Sequence, residues 1–170
     1  MSLVIDSLDL CLNVMTTMAS ATDHNTAKKA ATLAGRLLLT LRNEAELAST
    51  SPELIGKSGD EQSHNLLCSY INDACPGDAI LSEEQMDDFS RLSADRVWII
   101  DPLDGTREFS EYGRDDWAVH VALVEQNLPT AGAVALPSLD RTYCSNDNSS
   151  LSKGIEKIRI VCSRPRQGPA

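Results

Sequence analysis

Two aspartates and a glycine–threonine pair follow an apolar segment of the chain. The segment Val97–Ile100 leads directly into Asp101-Pro102-Leu103-Asp104-Gly105-Thr106. Carboxylates are the oxygen ligands that Mg²⁺ prefers, and Mg²⁺ keeps several water molecules that substrate can replace. Backbone N–H groups beside a glycine can bind a phosphate, because no Cβ atom blocks its approach. The pattern predicts a site for divalent cations and phosphate, although each of these residue types is also common in ordinary turns.

Metal ions and backbone donors at one place favour hydrolysis of a phosphate monoester. A bound cation lowers the pKa of its water and so supplies a nucleophile, while a second cation stabilises the leaving oxygen. Backbone donors at Gly105 and Thr106 can stabilise the phosphoryl oxygens in the same step. Such chemistry needs neither a cysteine nucleophile nor a phosphohistidine.

A second acidic cluster, Ser82-Glu83-Glu84, follows the short apolar segment Ala79–Leu81. If this segment and Val97–Ile100 are parallel neighbours in a sheet, we expect Glu83 to face Asp101 and Asp104 across a shallow cleft. Carboxylates at such short distances repel one another unless cations lie between them. The alternative is a solvated acidic loop, which is how we interpret the downstream residues 87 and 88.

Both motifs together resemble the inositol monophosphatase superfamily, whose members carry a Glu-Glu pair followed by Asp-Pro-(Ile/Leu/Val)-Asp-Gly-(Thr/Ser). The triplet Arg107-Glu108-Phe109 resembles the CysQ-type 3'(2'),5'-bisphosphate nucleotidase branch, whereas the inositol branch usually has Thr-Xaa-Asn-Phe at the corresponding place. The resemblance implies the layered αβαβα sugar-phosphatase fold, of class α+β, and mainly its N-terminal α/β lobe. It also implies 3'-phosphoadenosine 5'-phosphate as substrate, AMP and phosphate as products, and sensitivity to lithium.

Site residues follow from the same resemblance. It implies Mg²⁺ as the cofactor, with two or three ions in the complete fold. Glu83, Asp101 and the Leu103 carbonyl would bind one ion, and Asp101 and Asp104 a second. Leu103, Asp104, Gly105 and Thr106 would contact the phosphate. The implied catalytic residues are Glu83, Thr106, which helps to deprotonate the attacking water, and Asp60, as the partner of Thr106.

Asp60 also has a plain structural interpretation. It precedes apolar residues with helical spacing, and aspartate is a favoured residue at a helix N-cap. These apolar residues are Leu66, Leu67, Tyr70 and Ile71. Catalysis and capping both remain open for Asp60 at the level of sequence.

Apolar periodicity predicts the elements that hold the motifs. A helix is expected from Thr26 onward, with Thr22 or Asp23 as its cap, because small and apolar residues recur every three or four positions. These are Ala27, Ala30, Ala31, Ala34, Leu37, Leu38 and Leu41. The segment 117–124 has strand character, and 130–136 with 141–144 is typical of a hairpin. We expect the strand ending at Ile100 to turn at Pro102, because proline cannot donate to a ladder.

Composition limits the function classes. The chain has 170 residues and a formal net charge of −10, which argues against a nucleic-acid surface and favours cations as partners. Its five cysteines are odd in number and form no Cys-x-x-Cys pair, which favours reduced thiols in the cytoplasm. The three histidines, His24, His64 and His120, lack metal-ligand spacing and are interpreted as structural. The apolar N-terminal segment is too short to span a membrane.

Domain organisation is predicted as follows. Residues 1–22 form an extension or helix, 23–145 the metal- and phosphate-binding lobe, 146–157 a linker, and 158–170 the start of a truncated second lobe. Members of the superfamily continue for roughly another hundred residues. We therefore expect weak or no activity from this chain alone, and a homodimer is a further expectation. Two alternatives stay open: an inositol or sugar phosphatase, and a non-catalytic fragment.

Overall fold

The computed structural model describes residues 19–87 and 89–147. Two long helices, α1 (Ala21–Leu47) and α2 (Pro52–Ala74), come first in the chain. The strands are β1 (Ala79–Ser82), β2 (Arg96–Asp104), β3 (Ala118–Glu125), β4 (Leu128–Leu136) and β5 (Arg141–Cys144). A short helix, α3 (Thr106–Ser110), lies between β2 and β3, and 3₁₀ turns occupy Ser90–Leu92 and Pro137–Leu139.

Helix α1 begins one turn earlier than the sequence predicted. Ser20 is the N-cap: its hydroxyl accepts a hydrogen bond from the Asp23 N–H, and the Asp23 carboxylate accepts one from the Ser20 N–H. This reciprocal capping box satisfies two amides that have no partner inside the helix. The predicted cap at Thr22 or Asp23 was therefore wrong, because Asp23 closes the box from the first turn.

Helix α2 begins at Pro52, with Ser51 as its N-cap residue. Proline suits the first helical position, because its missing N–H would have no acceptor there. Asp60 consequently lies in the interior of α2, and the capping interpretation of Asp60 was wrong. Leu67 and Ile71 are fully buried, as the apolar spacing predicted.

The five strands form one mixed sheet in the order β1-β2-β3-β4-β5. β1 pairs with β2 in parallel, from Ala79 opposite Val97 to Ser82 opposite Ile100. The other three pairings are antiparallel, which confirms the predicted hairpin. Helices α1 and α2 together with this mixed sheet confirm the α+β class.

Strand β2 does not turn at Pro102, contrary to our expectation. It continues to Asp104, and its register against β3 shifts between Asp101 and Asp104, which is a β-bulge. Strand β1 ends opposite Ile100, so no residue of β1 lies opposite Pro102. The missing N–H of the proline therefore breaks no hydrogen bond on that side. The bulge thus allows a proline inside the strand and changes the direction of the two aspartates.

The core lies between the two helices and one face of the sheet. Four alanines of α1 are fully buried: Ala27, Ala30, Ala31 and Ala34. They allow close packing of the helix on the sheet, where Trp98 and Ile100 of β2 are buried. On the opposite face, the Ile99 side chain is 41% exposed.

Several predicted segments lie outside the described residues. They are residues 1–18 of the N-terminal extension, residues 148–157 of the linker, and the segment 158–170. Residue 88, which we interpreted as part of an acidic loop, also lies outside. The predicted boundary at residue 22 falls inside α1, which begins at Ala21. None of the helices in the described ranges has the length and apolarity that a membrane span requires.

Candidate active site

The carboxylates predicted to bind metal lie at the ends of the parallel pair β1 and β2. Glu83 follows β1, and its N–H donates to the Ile100 carbonyl of β2 at 3.2 Å. This bond carries the chain of β1 past its last ladder residue and places Glu83 beside Asp101. The Glu83 carboxylate is near enough to help raise the pKa of Asp101. The Leu103 N–H donates to Asp101 Oδ1 at 3.3 Å and fixes the side chain across the bulge.

Burial and like charge raise the pKa of Asp101 to about 6. Burial is the largest cause, and repulsion from Glu83 and Asp104 adds to it, while His120 acts in the opposite direction. A carboxylate in this situation gains from any cation that comes between it and its neighbours. The electrostatics of the strand ends therefore favour a positively charged ligand.

Thr106 and Asp60 are brought together from distant parts of the chain. The Thr106 hydroxyl lies 3.1 Å from Asp60 Oδ1 and 3.2 Å from the Leu103 carbonyl oxygen. Burial raises the pKa of Asp60 to about 6, with repulsion from Glu84 and Glu83 adding to the shift and the Thr106 hydrogen bond opposing it. The structure thus contains the hydroxyl–carboxylate contact that the resemblance implied, and it links α2 to the turn after β2.

Helix α2 approaches this turn closely because three small residues face it. Added Cβ atoms at Gly56 and Gly59 would lie 2.9 Å from the Ser110 hydroxyl oxygen and 2.8 Å from Phe109 Cε1. One turn further, the fully buried Ser63 donates its hydroxyl to the Pro102 carbonyl at 2.7 Å. The small face of α2 therefore sets the distance between Asp60 and Thr106.

We expect Gly59→Ala to destabilise the fold by about 2 kcal/mol and to weaken the Asp60–Thr106 contact. The new methyl group would meet Phe109 Cε1 at 2.8 Å and Leu103 Cδ2 at 2.9 Å, and both side chains are buried. Thermal unfolding measures the change. Gly132→Ala is the matched control, because its Cβ would meet only the Val121 carbonyl at 3.7 Å. Equal stability of the two variants would contradict close packing at Gly59.

Asp104 contacts a histidine of the neighbouring strand β3. Its carboxylate Oδ2 lies 3.1 Å from His120 Nε2, and the Asp104 side chain is 61% exposed. His120 comes from β3, and its contact with a predicted ligand was missed by sequence reasoning, which found no metal-ligand spacing among the histidines. Only the pairing of β3 with β2, which places His120 opposite Asp101, reveals this neighbourhood.

The donor set suits Mg²⁺ in chemistry, because it consists of the carboxylates of Glu83, Asp101 and Asp104 and the carbonyl of Leu103. Within residues 19–87 and 89–147, however, no group of three or more His, Cys, Asp and Glu side chains is arranged to hold a metal ion. The Asp104 carboxylate contacts His120 Nε2 at 3.1 Å. Its side chain is exposed, which leaves it room to rotate toward a bound ion.

His64 ties α2 to the residue before Glu83. Its Nδ1 lies 2.8 Å from the hydroxyl of the buried Ser82, and that hydroxyl also accepts a hydrogen bond from the Glu84 N–H at 3.3 Å. The Cys68 sulfur lies 3.7 Å from His64 Nε2, and burial raises the pKa of this thiol. These contacts are consistent with a structural role for His64 and with an unreactive Cys68.

Comparison with known proteins identifies the family. Residues 18–166 match the model of the inositol monophosphatase family. The chain belongs to that family.

Two similar curated proteins from mycobacteria carry the same name. A Mycobacterium leprae protein named 3'-phosphoadenosine 5'-phosphate phosphatase is 52% identical over 161 residues, covering 87% of this chain and 59% of that protein. A Mycobacterium bovis protein of the same name is 52% identical over 143 residues, covering 78% of this chain and 53% of that protein. The chain therefore spans little more than half the length of the curated relatives it matches.

Solved structures have the same fold. The structure of CysQ from Bacteroides thetaiotaomicron has a TM-score of 0.60 and 30% identity, over 74% of this chain and 46% of that one. Inositol monophosphatase II from Staphylococcus aureus has a TM-score of 0.66 at 23% identity, over 76% of this chain and 48% of that one. These likenesses confirm the inositol monophosphatase-like fold expected from the two motifs.

Proposed function

We propose that this chain carries the metal and phosphate half of a Mg²⁺-dependent phosphomonoester hydrolase that converts 3'-phosphoadenosine 5'-phosphate to AMP and phosphate. One observation carries the proposal: the Thr106 hydroxyl contacts Asp60 beside the Glu83–Asp101 carboxylate pair. A hydroxyl that contacts a half-buried acid near a cation-attracting pair is suited to orient and deprotonate water.

The proposed reaction is an in-line displacement at phosphorus. A water oxygen forms a bond to phosphorus, the bond from phosphorus to the 3' oxygen breaks, and the leaving oxygen takes up a proton. Mg²⁺, when bound by Glu83, Asp101, Asp104 and the Leu103 carbonyl, would supply an acidified water molecule and neutralise the phosphate charge.

The chain's own residues would move the water's proton. Thr106 would accept it as its own hydroxyl proton passes to Asp60. The raised pKa of Asp60, about 6, makes that carboxylate a better proton acceptor than an ordinary aspartate. Backbone N–H groups of the first turn of α3 have no acceptors within the helix and can bind the phosphoryl oxygens.

The choice of substrate is supported by the names of the mycobacterial relatives and by Arg107-Glu108-Phe109. Phe109 of this triplet is fully buried, whereas the Arg107 side chain is 82% exposed beside Thr106. A cation in that place can attract a doubly phosphorylated substrate to an otherwise acidic chain. Location in the cytoplasm and pairing into a homodimer stay predictions.

Phosphate release by the purified chain tests the proposal. We expect at most weak Mg²⁺-dependent release, which should be faster from 3'-phosphoadenosine 5'-phosphate than from inositol 1-phosphate in parallel assays and slower in the presence of lithium. Asp73→Asn, an exposed carboxylate near the end of α2, is the control that should leave the rate unchanged. Equal rates on both substrates would contradict the nucleotidase assignment, and a folded chain that neither releases phosphate nor binds Mg²⁺ would contradict the hydrolase assignment.

A further inference from the structure

We infer that Arg42 of α1 is a positioning residue for the phosphate-binding turn: its guanidinium holds the segment after α3 against Gly105 and so fixes Thr106. This inference rests on the proposed function. Arg42 is 7% exposed, and none of the ion pairs found among the described residues includes it. Burying a guanidinium away from a carboxylate is costly unless hydrogen bonds compensate for the lost water.

Backbone carbonyls supply that compensation. Arg42 Nη1 donates to the Arg114 carbonyl at 2.7 Å, and Nη2 donates to the Glu111 carbonyl. Both acceptors belong to the loop that follows α3, which ends at Ser110. The two bonds diverge from one planar group, so they fix the course of this loop as well as its distance from α1.

Two aromatic rings also contact the guanidinium. Its carbon lies 5.8 Å from the ring centroid of Phe109 and 5.8 Å from that of Trp117. The two rings meet edge to face, with centroids 5.0 Å apart. Trp117 Nε1 is buried and has no acceptor among the described residues, so stacking and packing hold this ring in place.

Phe109 and Trp117 both contact Gly105 of the phosphate-binding turn. The Phe109 N–H donates to the Gly105 carbonyl at 2.8 Å, which closes the first turn of α3. Gly105 has φ +85°, and an added Cβ there would lie 3.2 Å from the Asp116 carbonyl and 3.3 Å from Trp117 Cβ. The residues that Arg42 holds therefore form the surface on which the Gly105–Thr106 turn rests.

Amide hydrogen exchange tests this inference without any need for activity. In Arg42→Met, which keeps a long apolar stem and loses all donors, we expect exchange about tenfold faster for residues 105–117. Exchange in β3 and β4 should change by less than about threefold, because local loosening leaves the sheet intact. Arg36→Met, an exposed arginine of the same helix, is the matched control and should change neither region.

Kinetics then separate positioning from mere stability. We expect the kcat of folded Arg42→Met to fall roughly 10- to 100-fold with KM changed less than about threefold, since a misplaced group slows the chemical step more than binding. Arg42→Lys, which can still donate to one carbonyl, should recover part of kcat. If Arg42→Met does not fold, Arg42→Lys carries both measurements, with smaller effects of the same pattern.

Some results would overturn the inference about Arg42, and others would contradict the proposed function. Unchanged exchange in residues 105–117, or equal acceleration there and in the sheet, would overturn the inference. A folded Arg42→Met with unchanged kcat would overturn it as well. Absence of both Mg²⁺ binding and phosphate release in the unsubstituted chain would instead count against the proposed function, and the exchange comparison would still decide whether Arg42 holds the turn.

Discussion

Asp101→Asn is expected to remove Mg²⁺-dependent phosphate release and at the same time to stabilise the metal-free chain at neutral pH. Release should fall by more than about 100-fold, because loss of even an outer partner of a metal ligand costs 10- to 100-fold. Asp101 is the residue proposed to be shared by the two ions, so no neighbouring side chain replaces it.

The gain in stability follows from the sign of the pKa shift. The pKa of Asp101 is raised to about 6 in the fold, from a usual value of 3.8. The charged carboxylate therefore costs stability above pH 6, and this cost disappears as the pH falls below the unfolded value. Asparagine carries no charge, and we expect it to gain about 1–2 kcal/mol at neutral pH after allowance for partial solvent screening.

Thermal unfolding with and without Mg²⁺ measures both effects. A gain of that size corresponds to an increase of a few degrees in Tm for a chain of this length. The difference between variant and unsubstituted chain should shrink steadily between pH 6 and pH 4, and added Mg²⁺ should stabilise only the unsubstituted chain. Asp73→Asn controls for the loss of a negative charge at an exposed site. A lower Tm for metal-free Asp101→Asn would contradict the repulsion described for the strand ends.

Thr106→Val is expected to lower kcat by roughly 100-fold or more while the fold is kept. Valine has nearly the shape of threonine but cannot donate a hydrogen bond to Asp60 Oδ1 or to the Leu103 carbonyl. The proposed proton path from water to Asp60 is then broken, whereas the backbone N–H groups of α3 remain. We expect KM to change much less than kcat, because those backbone groups continue to bind phosphate.

Thr106→Ser is the matched control, since serine keeps the hydroxyl and loses only a methyl group. It should retain most of the activity. Asp60→Asn should resemble Thr106→Val, and the double variant should be no slower than the slower single variant, because both changes interrupt one path. Independent, multiplicative losses would show that Thr106 and Asp60 do not act together.

The sequence alone determined the chemistry of the strand ends. Asp101, Asp104, Gly105 and Thr106 are contiguous, so their common location follows from chain connectivity. The apolar runs before Glu83 and Asp101 also indicated two short strands, because such strands have a short, continuous apolar signature. The structure pairs these strands in parallel. The buried alanine face of α1 was also predicted from the sequence, because its alanines recur every three or four residues.

Only the tertiary structure decided the surroundings of these residues. The contact between Asp60 and Thr106 depends on how closely α2 packs, and Gly56 and Gly59 allow that closeness by lacking a Cβ atom. A pattern of apolar residues does not reveal where a missing Cβ atom will allow two elements to pack closely. The same holds for the bulge that carries β2 through Pro102, because it depends on where the neighbouring strand β1 ends.

Arg42 shows the limit of sequence patterns most clearly. Apolar spacing predicted Leu41 on the buried face of α1, yet Arg42 is the buried residue there, four positions after Leu38. A charged side chain scores as surface in any hydrophobic pattern, and its burial is made favourable by two carbonyls and two rings distant in sequence. Residue types thus determined what chemistry this protein can do, while packing between distant segments decided which side chains hold that chemistry in place.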